Sequence, residues 1–320
     1  MYNQSLIRLL TTALPSSLPL LRRLHFPHNS PSATLLTTFL PSVDSTTLPL
    51  TFAVGFFDRL NAPNMQAWIF SSLELPSRSE SIVDSRNHVD DETSTSQLRA
   101  LFAHFHTSSP PPQVRNPTPQ DRQDVILVAA VHSRVATALR LLGNGIVRDD
   151  IGGPGGPYRK YLFSTLHLAA AQDDRLPNGM QWDVVHPADH QLVMQTNALV
   201  RSSATLEGLP SVAIRRGERN RDGGTGIDDV DCEEELVAWG FLGVDGSVRT
   251  LYCVPAYRRQ GLARMVVVKL VRDRLREFGD GDLAHVDVAS ENVASVRLFE
   301  GLGAEYKQDS YWLRIDLARC

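Results

Sequence analysis

Hydrophobic and polar positions follow a regular order in the C-terminal part of the chain, where strand-like and helix-like segments alternate. The helix-like segments carry apolar residues on one face, and the strand-like segments are short apolar runs. In chain order they are a strand at 182–185, a helix from 187 towards 201, strands at 211–215, 236–242 and 248–254, a helix at 263–278, a strand at 283–289, a short helix at 293–301 and a last strand or hairpin at 306–317.

This order predicts a mixed α/β sheet. The dipeptide Asp245-Gly246 favours a tight hairpin between strands 236–242 and 248–254. Strand 248–254, helix 263–278 and strand 283–289 together predict one right-handed βαβ crossover.

The N-terminal half has a less regular pattern. Residues 6–14 favour a first helix, and residues 50–57, 65–73 and 161–169 favour strands. Residues 125–142 form a helix candidate, although the valine-rich start of this segment also allows a strand. These elements predict an α/β domain in this half as well.

Polar stretches separate the predicted elements. Residues 76–97 are rich in Ser, Asp, Glu and Thr, which predicts a mobile insertion, and residues 108–120 contain five prolines, which predicts a linker or extended loop. A third stretch, at 215–235, predicts a long solvated loop between two strands. We therefore expect an N-terminal α/β domain over 1–178 and a second domain over 179–320.

Composition limits the classes of function. The chain has 320 residues, is 42% hydrophobic and 21% charged, and carries a formal net charge of −4, as is typical of globular proteins. The acidic balance argues against broad nucleic-acid binding, and no apolar run approaches the roughly 20 residues of a membrane span. We therefore expect neither a nucleic acid nor a membrane as partner. The spacing of Cys232, Cys253 and Cys320 predicts neither a disulfide framework nor a zinc site, so we expect a reducing compartment and no metal.

The N-terminus bears on localisation. Residues 1–43 contain no Asp or Glu, but include Arg8, Arg22 and Arg23, a composition compatible with a mitochondrial transit peptide. Prolines 15, 19 and 27 interrupt any long amphipathic helix, which favours an ordinary folded start. The expectation is a cytoplasmic protein with surface arginines at 22 and 23, and a mitochondrial location is the alternative.

Residues 253–270, with the sequence CVPAYRRQGLARMVVVKL, carry the clearest candidate chemistry. A predicted strand ends here and a helix begins at once, so the first N–H groups of the helix have no partner within it. Such an end, with Gly261 beside it and Arg258 and Arg259 close by, is suited to an anion such as phosphate. Neither a GxxxxGK[ST] loop nor a GxGxxG fingerprint is present.

The stretch LYCVPAYRRQGLARMVVVKLV resembles the acyl-CoA motif of the GCN5-related N-acetyltransferase (GNAT) superfamily, whose core is Q/R-x-x-G-x-G/A. The stretch AHVDVASENVASVRLFEGLGAEY is similar to the strand and helix that follow in that superfamily. The residues in the matching places there are Asn292, Leu298, Phe299, Leu302 and Gly303. The likeness covers roughly the last 135 residues. The hairpin and the string HVD at 285–287 resemble the glycine N-acyltransferase branch with its FR47-like domains, which implies a degenerate acetyltransferase-like N-terminal half.

The resemblance implies acetyl-CoA or another acyl-CoA as co-substrate. The pyrophosphate would lie on the amides of residues 260–264, and the pantetheine would lie beside residues 251–254. The thioester carbonyl would be polarised by an N–H near Cys253 or Val254. The implied cofactor-binding residues are Leu251, Cys253, Val254, Arg258, Arg259, Gln260, Gly261, Leu262, Ala263, Arg264, Asn292 and Phe299.

The candidates for acid and base differ from the family pattern. Phe299 stands where many members have a tyrosine, so Tyr306 or Tyr311 would replace that acid, or the thiolate would leave unaided. Ser247 stands where the glycine-acyltransferase branch often has a glutamate. His285 and Asp287 share one face of a strand and form a candidate base and its orienting partner, or else a surface pair. Other candidate bases are Glu233, Glu234 and Glu235.

The predicted function is acyl transfer from acyl-CoA, most simply acetyl-CoA, to a small primary amine or amino-acid-like acceptor. The amine attacks directly while both substrates are bound. One alternative is a CoA-binding regulatory or interaction module with weak catalysis, which the residues at 247 and 299 motivate. A further alternative is a protein-lysine acetyltransferase.

Overall fold

The computed structural model describes residues 4–41, 47–59, 66–76, 85–108, 124–149, 156–169, 175–196, 203–217 and 234–320. In chain order the helices and strands are α1 (Gln4–Thr12), α2 (Leu18–His25), β1 (Thr34–Thr37), β2 (Ala53–Phe57), β3 (Ala67–Ser71), α3 (Ser85–Ser108), β4 (Val125–His132), α4 (Ser133–Leu141), β5 (Tyr158–Ser164), α5 (Thr165–Ala169), β6 (Met180–Asp183), α6 (His190–Gln195), α7 (Ser203–Leu206), β7 (Ser211–Arg216), β8 (Glu235–Leu242), β9 (Val248–Cys253), α8 (Leu262–Arg274), β10 (Leu283–Ala289), α9 (Val293–Gly301) and β11 (Glu305–Asp316).

The chain divides into two compact units. Unit 1 contains Met1–Lys160, Asp287–Asn292 and Tyr306–Cys320, and unit 2 contains Tyr161–Val286 and Val293–Glu305. This division differs from the expected linear boundary at residue 178. It differs because strand β11, near the C-terminus, pairs from Ser310 to Asp316 with β4 of the N-terminal half.

The larger sheet is mixed and has the order β1-β2-β3-β4-β11-β5-β10, and its strands β1 to β4 lie in unit 1. β1, β2 and β3 pair antiparallel, β3 and β4 pair in parallel, and β4 and β11 pair antiparallel. Helix α3 covers this sheet with Leu98, Leu101, Phe102 and Phe105, which are all buried. The ring of Phe105 stacks on that of Phe57, with centroids 4.3 Å apart.

Helix α3 corrects the prediction of a mobile insertion over 76–97, because the helix begins at Ser85 inside that stretch. Its apolar residues follow the i, i+3, i+4, i+7 spacing only from Leu98 to Phe105, just beyond the polar window. Burial of that C-terminal face stabilises a helix whose first half is polar. Residues 109–123 and 218–233, which cover most of the other two polar stretches, lie outside the described residues.

Three further predictions differ in their bounds. Residues 125–142 form strand β4 and then α4, and His132 at the junction accepts a hydrogen bond from the Arg134 N–H at 3.0 Å on its Nδ1. Residues 161–169 form the end of β5 and the short helix α5 instead of one strand. The helix expected from 187 towards 201 is a 3-10 turn followed by α6, which ends at Gln195.

Unit 2 contains an antiparallel sheet with the order β6-β7-β8-β9. Helix α8 packs closely on it, because Gly240 of β8 leaves room: a Cβ there would lie 3.0 Å from Val266 Cγ1. β9 and β10 belong to different sheets. The predicted βαβ crossover therefore does not close within one sheet, although β9, α8 and β10 occur in the expected order.

None of the described helices is long and apolar enough to cross a membrane.

The side chain of Arg23 lies in the interior of unit 1. The residue is 1% exposed, and its guanidinium lies 4.3 Å from the ring centroid of Phe56 and 4.8 Å from that of Trp68. Its Nη2 lies 3.5 Å from Asp58 Oδ2. The expectation of surface arginines at 22 and 23 is therefore wrong, since Arg22 is buried as well.

Replacement of Arg23 by alanine should lower the free energy of unfolding by about 3–5 kcal/mol, because it leaves the buried Asp58 carboxylate without its cation. Urea denaturation of the full chain measures this change. The control is Arg8→Ala, at an exposed arginine of α1, which should change the free energy by no more than about 0.5 kcal/mol. Equal effects of the two substitutions would contradict a buried charge pair.

Candidate functional site

The outer edge of strand β9 is the first part of the candidate site. β9 is the last strand of its sheet in the described chain. Val254 donates its N–H to Val237 O at 2.9 Å, so the preceding residue, Cys253, directs its N–H and C=O to the opposite edge. The register of the hairpin shifts just before this point, where Thr250 and Leu251 both lie opposite Gly240. An extended ligand can therefore pair with β9 as an added strand.

A 3-10 turn at Pro255–Tyr257 follows this edge, and helix α8 begins after it, at Leu262. Gly261, the residue before the helix, has φ 79° and ψ −1°, and Arg259 also has a positive φ, of 65°. A Cβ added to Gly261 would meet no atom within 4 Å, so the space over this residue is open. Residues 258–261 are exposed, whereas Leu262 is buried and Ala263 is half-buried. The first N–H groups of α8 therefore lie at an exposed helix end with partial positive charge.

Arg258 lies against the end of β9. Its Nε donates to the Cys253 carbonyl at 3.0 Å, and its guanidinium lies 5.7 Å from the ring centroid of Tyr252. Burial raises the pKa of the Cys253 thiol, and the charge of Arg258 lowers that pKa in part. The strand end, the thiol and one predicted phosphate ligand are thus neighbours.

The remaining predicted cofactor residues differ in their surroundings. Nη1 of Arg264 donates to the Gly301 carbonyl at 2.7 Å, which connects α8 to the end of α9. Phe299 is 2% exposed, and its ring centroid lies 6.0 Å from that of Phe163, so it is a core residue of unit 2. Asn292 lies in unit 1, where its N–H donates to Ala289 O at 2.9 Å in the exposed turn after β10.

His285 is a fully buried residue of unit 2. Its Nε2 lies 2.9 Å from the backbone carbonyl oxygen of Asp245, in the β8–β9 turn. The Asp245 carboxylate is itself buried, and it accepts from Ser247 Oγ at 2.6 Å and from Arg249 Nη2 at 3.0 Å. Ser247, at the position where the related branch often has a glutamate, is therefore part of a structural turn.

Asp287 lies in unit 1 within a buried polar cluster. Its carboxylate pairs with Lys160 Nζ at 2.9 Å and accepts from Ser310 Oγ at 2.6 Å. The side chains of Asp287 and Lys160 are 4% and 5% exposed. The structure therefore gives His285 and Asp287 separate partners: a turn carbonyl for the first, and a lysine and a serine for the second.

Two further titratable groups of unit 1 are affected by Lys160. Burial raises the pKa of Glu74 to about 8, although the hydrogen bond from the Ser71 N–H and the charge of Lys160 oppose this. Burial lowers the pKa of His132 to about 4, and the charges of Arg134 and Lys160 add to the effect. Glu74 is thus mainly protonated and His132 neutral at pH 7.

The other candidate acids and bases are held by polar neighbours or packed on a core. Tyr306 is 52% exposed and donates to Asp309 Oδ1 at 3.0 Å. Tyr311 packs on the core of unit 1. Glu234 accepts from Gln181 Nε2 at 2.8 Å, and Glu235 accepts from the Tyr257 hydroxyl at 2.5 Å. Glu233 lies outside the described residues.

Sequence reasoning missed Lys160, Ser310 and Glu74. Lys160 and Ser310 are remote from Asp287 in the chain, and no local pattern indicates that they meet. For Glu74 the sequence does contain an indication, because Ser71-Ser72-Leu73-Glu74 matches the S-x-x-E pattern of a capping box. The structure shows that box in full, with the Ser71 N–H bound to Glu74 Oε1 at 3.0 Å.

Two families match the sequence. Residues 2–161, half of the chain, match the family described as the acyl-CoA N-acyltransferase verG N-terminal domain. Residues 225–313 match the FR47-like protein family. No curated protein matches the chain.

Several solved structures are similar to the chain at low sequence identity. A Drosophila protein is 15% identical, with a TM-score of 0.60 over 97% of this chain and 94% of its own. A GCN5-related N-acetyltransferase from Kribbella flavida is 13% identical, with a TM-score of 0.42 over 82% of this chain and 86% of its own. A tandem GNAT protein from the clavulanic acid biosynthesis pathway is 12% identical, with a TM-score of 0.44 over 98% of this chain and 93% of its own.

The mixed α/β fold and the family matches define an acyltransferase of the GNAT superfamily. Within that superfamily, the chain belongs to the acyl-CoA N-acyltransferases that have a verG-type N-terminal domain, and it continues into an FR47-like domain. The predicted superfamily, fold class and enzyme class are confirmed, and an acyl-CoA is the co-substrate of this class.

The Cys253 thiol should react slowly with iodoacetamide at pH 8, because its raised pKa leaves little thiolate. Arg258→Ala should slow the reaction further, since the charge of Arg258 favours the thiolate. Arg259→Ala removes the same charge next to it and should have less effect. Mass spectrometry of the Cys253 peptide measures each rate, and equal rates in the two variants would contradict the contact.

Glu74→Gln should flatten the pH dependence of stability between pH 5 and pH 8. The folded pKa of Glu74 is raised from 4.5 to about 8, so the stability from its neutral carboxyl is complete below pH 4.5 and is lost as the pH rises towards 8. At about 1.4 kcal/mol per pKa unit, the loss amounts to several kcal/mol. Urea titrations at each pH measure it, and parallel profiles of wild type and variant would show that Glu74 does not cause it.

Proposed function

We propose that the protein transfers an acyl group, most simply acetyl from acetyl-CoA, to a small primary amine or an amino-acid-like acceptor. The observation that carries this proposal is the open outer edge of β9, which is followed, after one 3-10 turn, by the exposed start of α8. The strand edge offers backbone hydrogen-bond partners for an extended chain, and the start of the helix offers N–H groups for an anion. Pantetheine followed by pyrophosphate has that order of groups.

The pyrophosphate is assigned to the first N–H groups of α8, over residues 260–264. Gly261 supports this assignment, because its left-handed backbone and missing side chain leave the approach open. Arg259 is exposed at the same loop and supplies positive charge. The guanidinium of Arg258 already holds the Cys253 carbonyl, so its first role is to fix the loop against the strand.

The thioester carbonyl is assigned to the N–H of Cys253. The Val254 N–H is the other candidate from sequence, but it donates to Val237 O. A fixed N–H at the developing oxyanion stabilises the transition state without reorganisation. The neutral amine attacks the carbonyl carbon, and collapse of the tetrahedral adduct breaks the C–S bond.

The departing thiolate needs no protein acid in this scheme. Phe299 occupies the position of the usual tyrosine and is buried in the core of unit 2. A thiol pKa of about 8.5 makes the thiolate an adequate leaving group at neutral pH. The amine must lose a proton, and the Glu235 carboxylate, bound to the Tyr257 hydroxyl that Arg216 also contacts, lies at the same end of the hairpin and is the group assigned to accept it.

A small acceptor is supported by the face of the hairpin opposite α8. Trp239 and Tyr252 pack there with ring centroids 4.9 Å apart, and they join an apolar cluster that includes Val254. Trp239 is fully buried in this cluster, whereas Tyr252 and Val254 are partly buried, so the accessible part of the face is apolar and aromatic. A compact amine with an apolar body matches such a face.

Gly261→Asp should abolish binding of CoA and acetyl-CoA, because the new carboxylate would face the pyrophosphate. A ligand at 100 times its dissociation constant adds about 2.7 kcal/mol of stability, which a thermal-shift titration detects. Gly179→Asp is the matched control, since Gly179 also has a positive φ, of 74°, and open space for a side chain. Retained binding in the Gly261 variant would refute the placement of the phosphate.

Thiol release from acetyl-CoA over a panel of amines then tests transfer. Turnover with small amines but not with lysine peptides supports the proposed acceptor class, and the reverse preference would make a protein the acceptor. A thermal shift without turnover on any amine or peptide would leave a CoA-binding module.

A further inference from the structure

The order of elements repeats along the chain. The first series, α1, α2, β1, β2, β3, α3, β4, α4 and β5, is matched by the second series, α6, α7, β7, β8, β9, α8, β10, α9 and β11. A 3-10 turn follows β3 as another follows β9. Strand β3 is therefore the counterpart of β9 in the first series.

Hydrogen-bond register identifies the counterpart of Cys253. The β8–β9 hairpin ends at the bond from the Val254 N–H to Val237 O, and the β2–β3 hairpin ends at the bond from the Ser72 N–H to Phe52 O. Cys253 and Ser71 each precede that last bonded residue. Their N–H groups therefore both point away from the hairpin partner.

The N–H of Ser71 already has a partner, which is Glu74 Oε1 at 3.0 Å. Ser71 is fully buried and Glu74 is 9% exposed, so the contact lies in the interior of unit 1. The Glu74 carboxyl has a pKa of about 8 and is mainly neutral at pH 7, as a thioester is. A neutral carbonyl-type oxygen thus faces the N–H that corresponds to the one assigned to the thioester.

Two other features of the first series agree with the loss of a ligand. β3 pairs in parallel with β4 at Ala67 and Trp68, whereas β9 has no such partner in its sheet. The sequence between β3 and α3, residues 72–84, contains no glycine, whereas the corresponding stretch before α8 contains Gly261. In the first series, part of the β3 edge is thus already paired, and the sequence has no counterpart of Gly261.

We propose that the Glu74 carboxyl permanently occupies the position in the first series that the thioester carbonyl takes in the second, so that each chain binds a single acyl-CoA. The proposal rests on the assignment of the Cys253 N–H to the thioester. It makes Glu74 an internal substitute for the ligand, held by the Ser71-to-Glu74 capping box.

The number of CoA molecules per chain is the first test, measured on the full chain by native mass spectrometry with free CoA. We expect one CoA in the wild type, one in Glu74→Gln, whose amide oxygen still accepts from the Ser71 N–H, and none in Gly261→Asp. Two CoA molecules in the wild type, or one retained in Gly261→Asp, would overturn the proposal.

Hydrogen exchange of the Ser71 amide is the second test, with the Trp68 amide of the same strand as internal reference. Exchange at Ser71 should be slow in the wild type and in Glu74→Gln, and at least tenfold faster in Glu74→Ala, with Trp68 little changed. Saturating CoA should leave Ser71 exchange in the wild type unchanged. Protection of Ser71 by CoA, or equal exchange in all three proteins, would overturn the proposal.

The two tests separate this proposal from the proposed function. If the wild type binds no CoA, the proposed function is wrong, and so is the statement that each chain binds a single acyl-CoA. The exchange rates at Ser71 still decide whether Glu74 occupies that N–H. If one CoA binds and the exchange rate of the Ser71 amide is the same with and without the Glu74 side chain, acyl-CoA binding is supported. The proposal that Glu74 occupies the Ser71 N–H is then wrong.

Discussion

The direction of one peptide N–H, that of Cys253, is the constraint on which the candidate site depends. It is set by the hydrogen bond from Val254 to Val237 O, because residues of a strand alternate between its two edges. A shift of one residue in the register would turn the Cys253 group towards β8. The buried turn at Asp245, tied by Ser247 and Arg249, sets the register at the closed end of the hairpin. The register shift opposite Gly240 then sets it at Cys253. Residues far from any ligand thereby determine where a carbonyl can be bound.

The sequence was sufficient for the parts of the fold that depend on local patterns. The Asp245-Gly246 hairpin, helix α8 and the acyl-CoA motif follow from turn chemistry, amphipathic spacing and a short signature, and each is close to its predicted bounds. Helix α3 was missed because its polar half is stabilised by the burial of residues 98–105 on a sheet that no local window contains. The partners of His285 and Asp287 were missed for the same reason, since Asp245, Lys160 and Ser310 are distant in the chain.

The two series of elements show how similar backbones can differ in what they bind. In the second series the strand edge is open and a glycine precedes the helix, whereas in the first series a carboxyl lies on the edge. Few side chains account for this difference in binding, because the two hairpins already set the directions of the backbone N–H groups. A buried neutral carboxyl is tolerated there since it satisfies an N–H that water cannot reach.

The pairing of β4 with β11 has a consequence for synthesis of the chain. β4 is complete at residue 132, but its antiparallel partner begins at residue 305. During synthesis on the ribosome, one edge of β4 therefore stays unpaired while more than half of the chain is still being made. Exposed strand edges invite pairing with other chains, so this interval is when the nascent protein most needs protection by a chaperone.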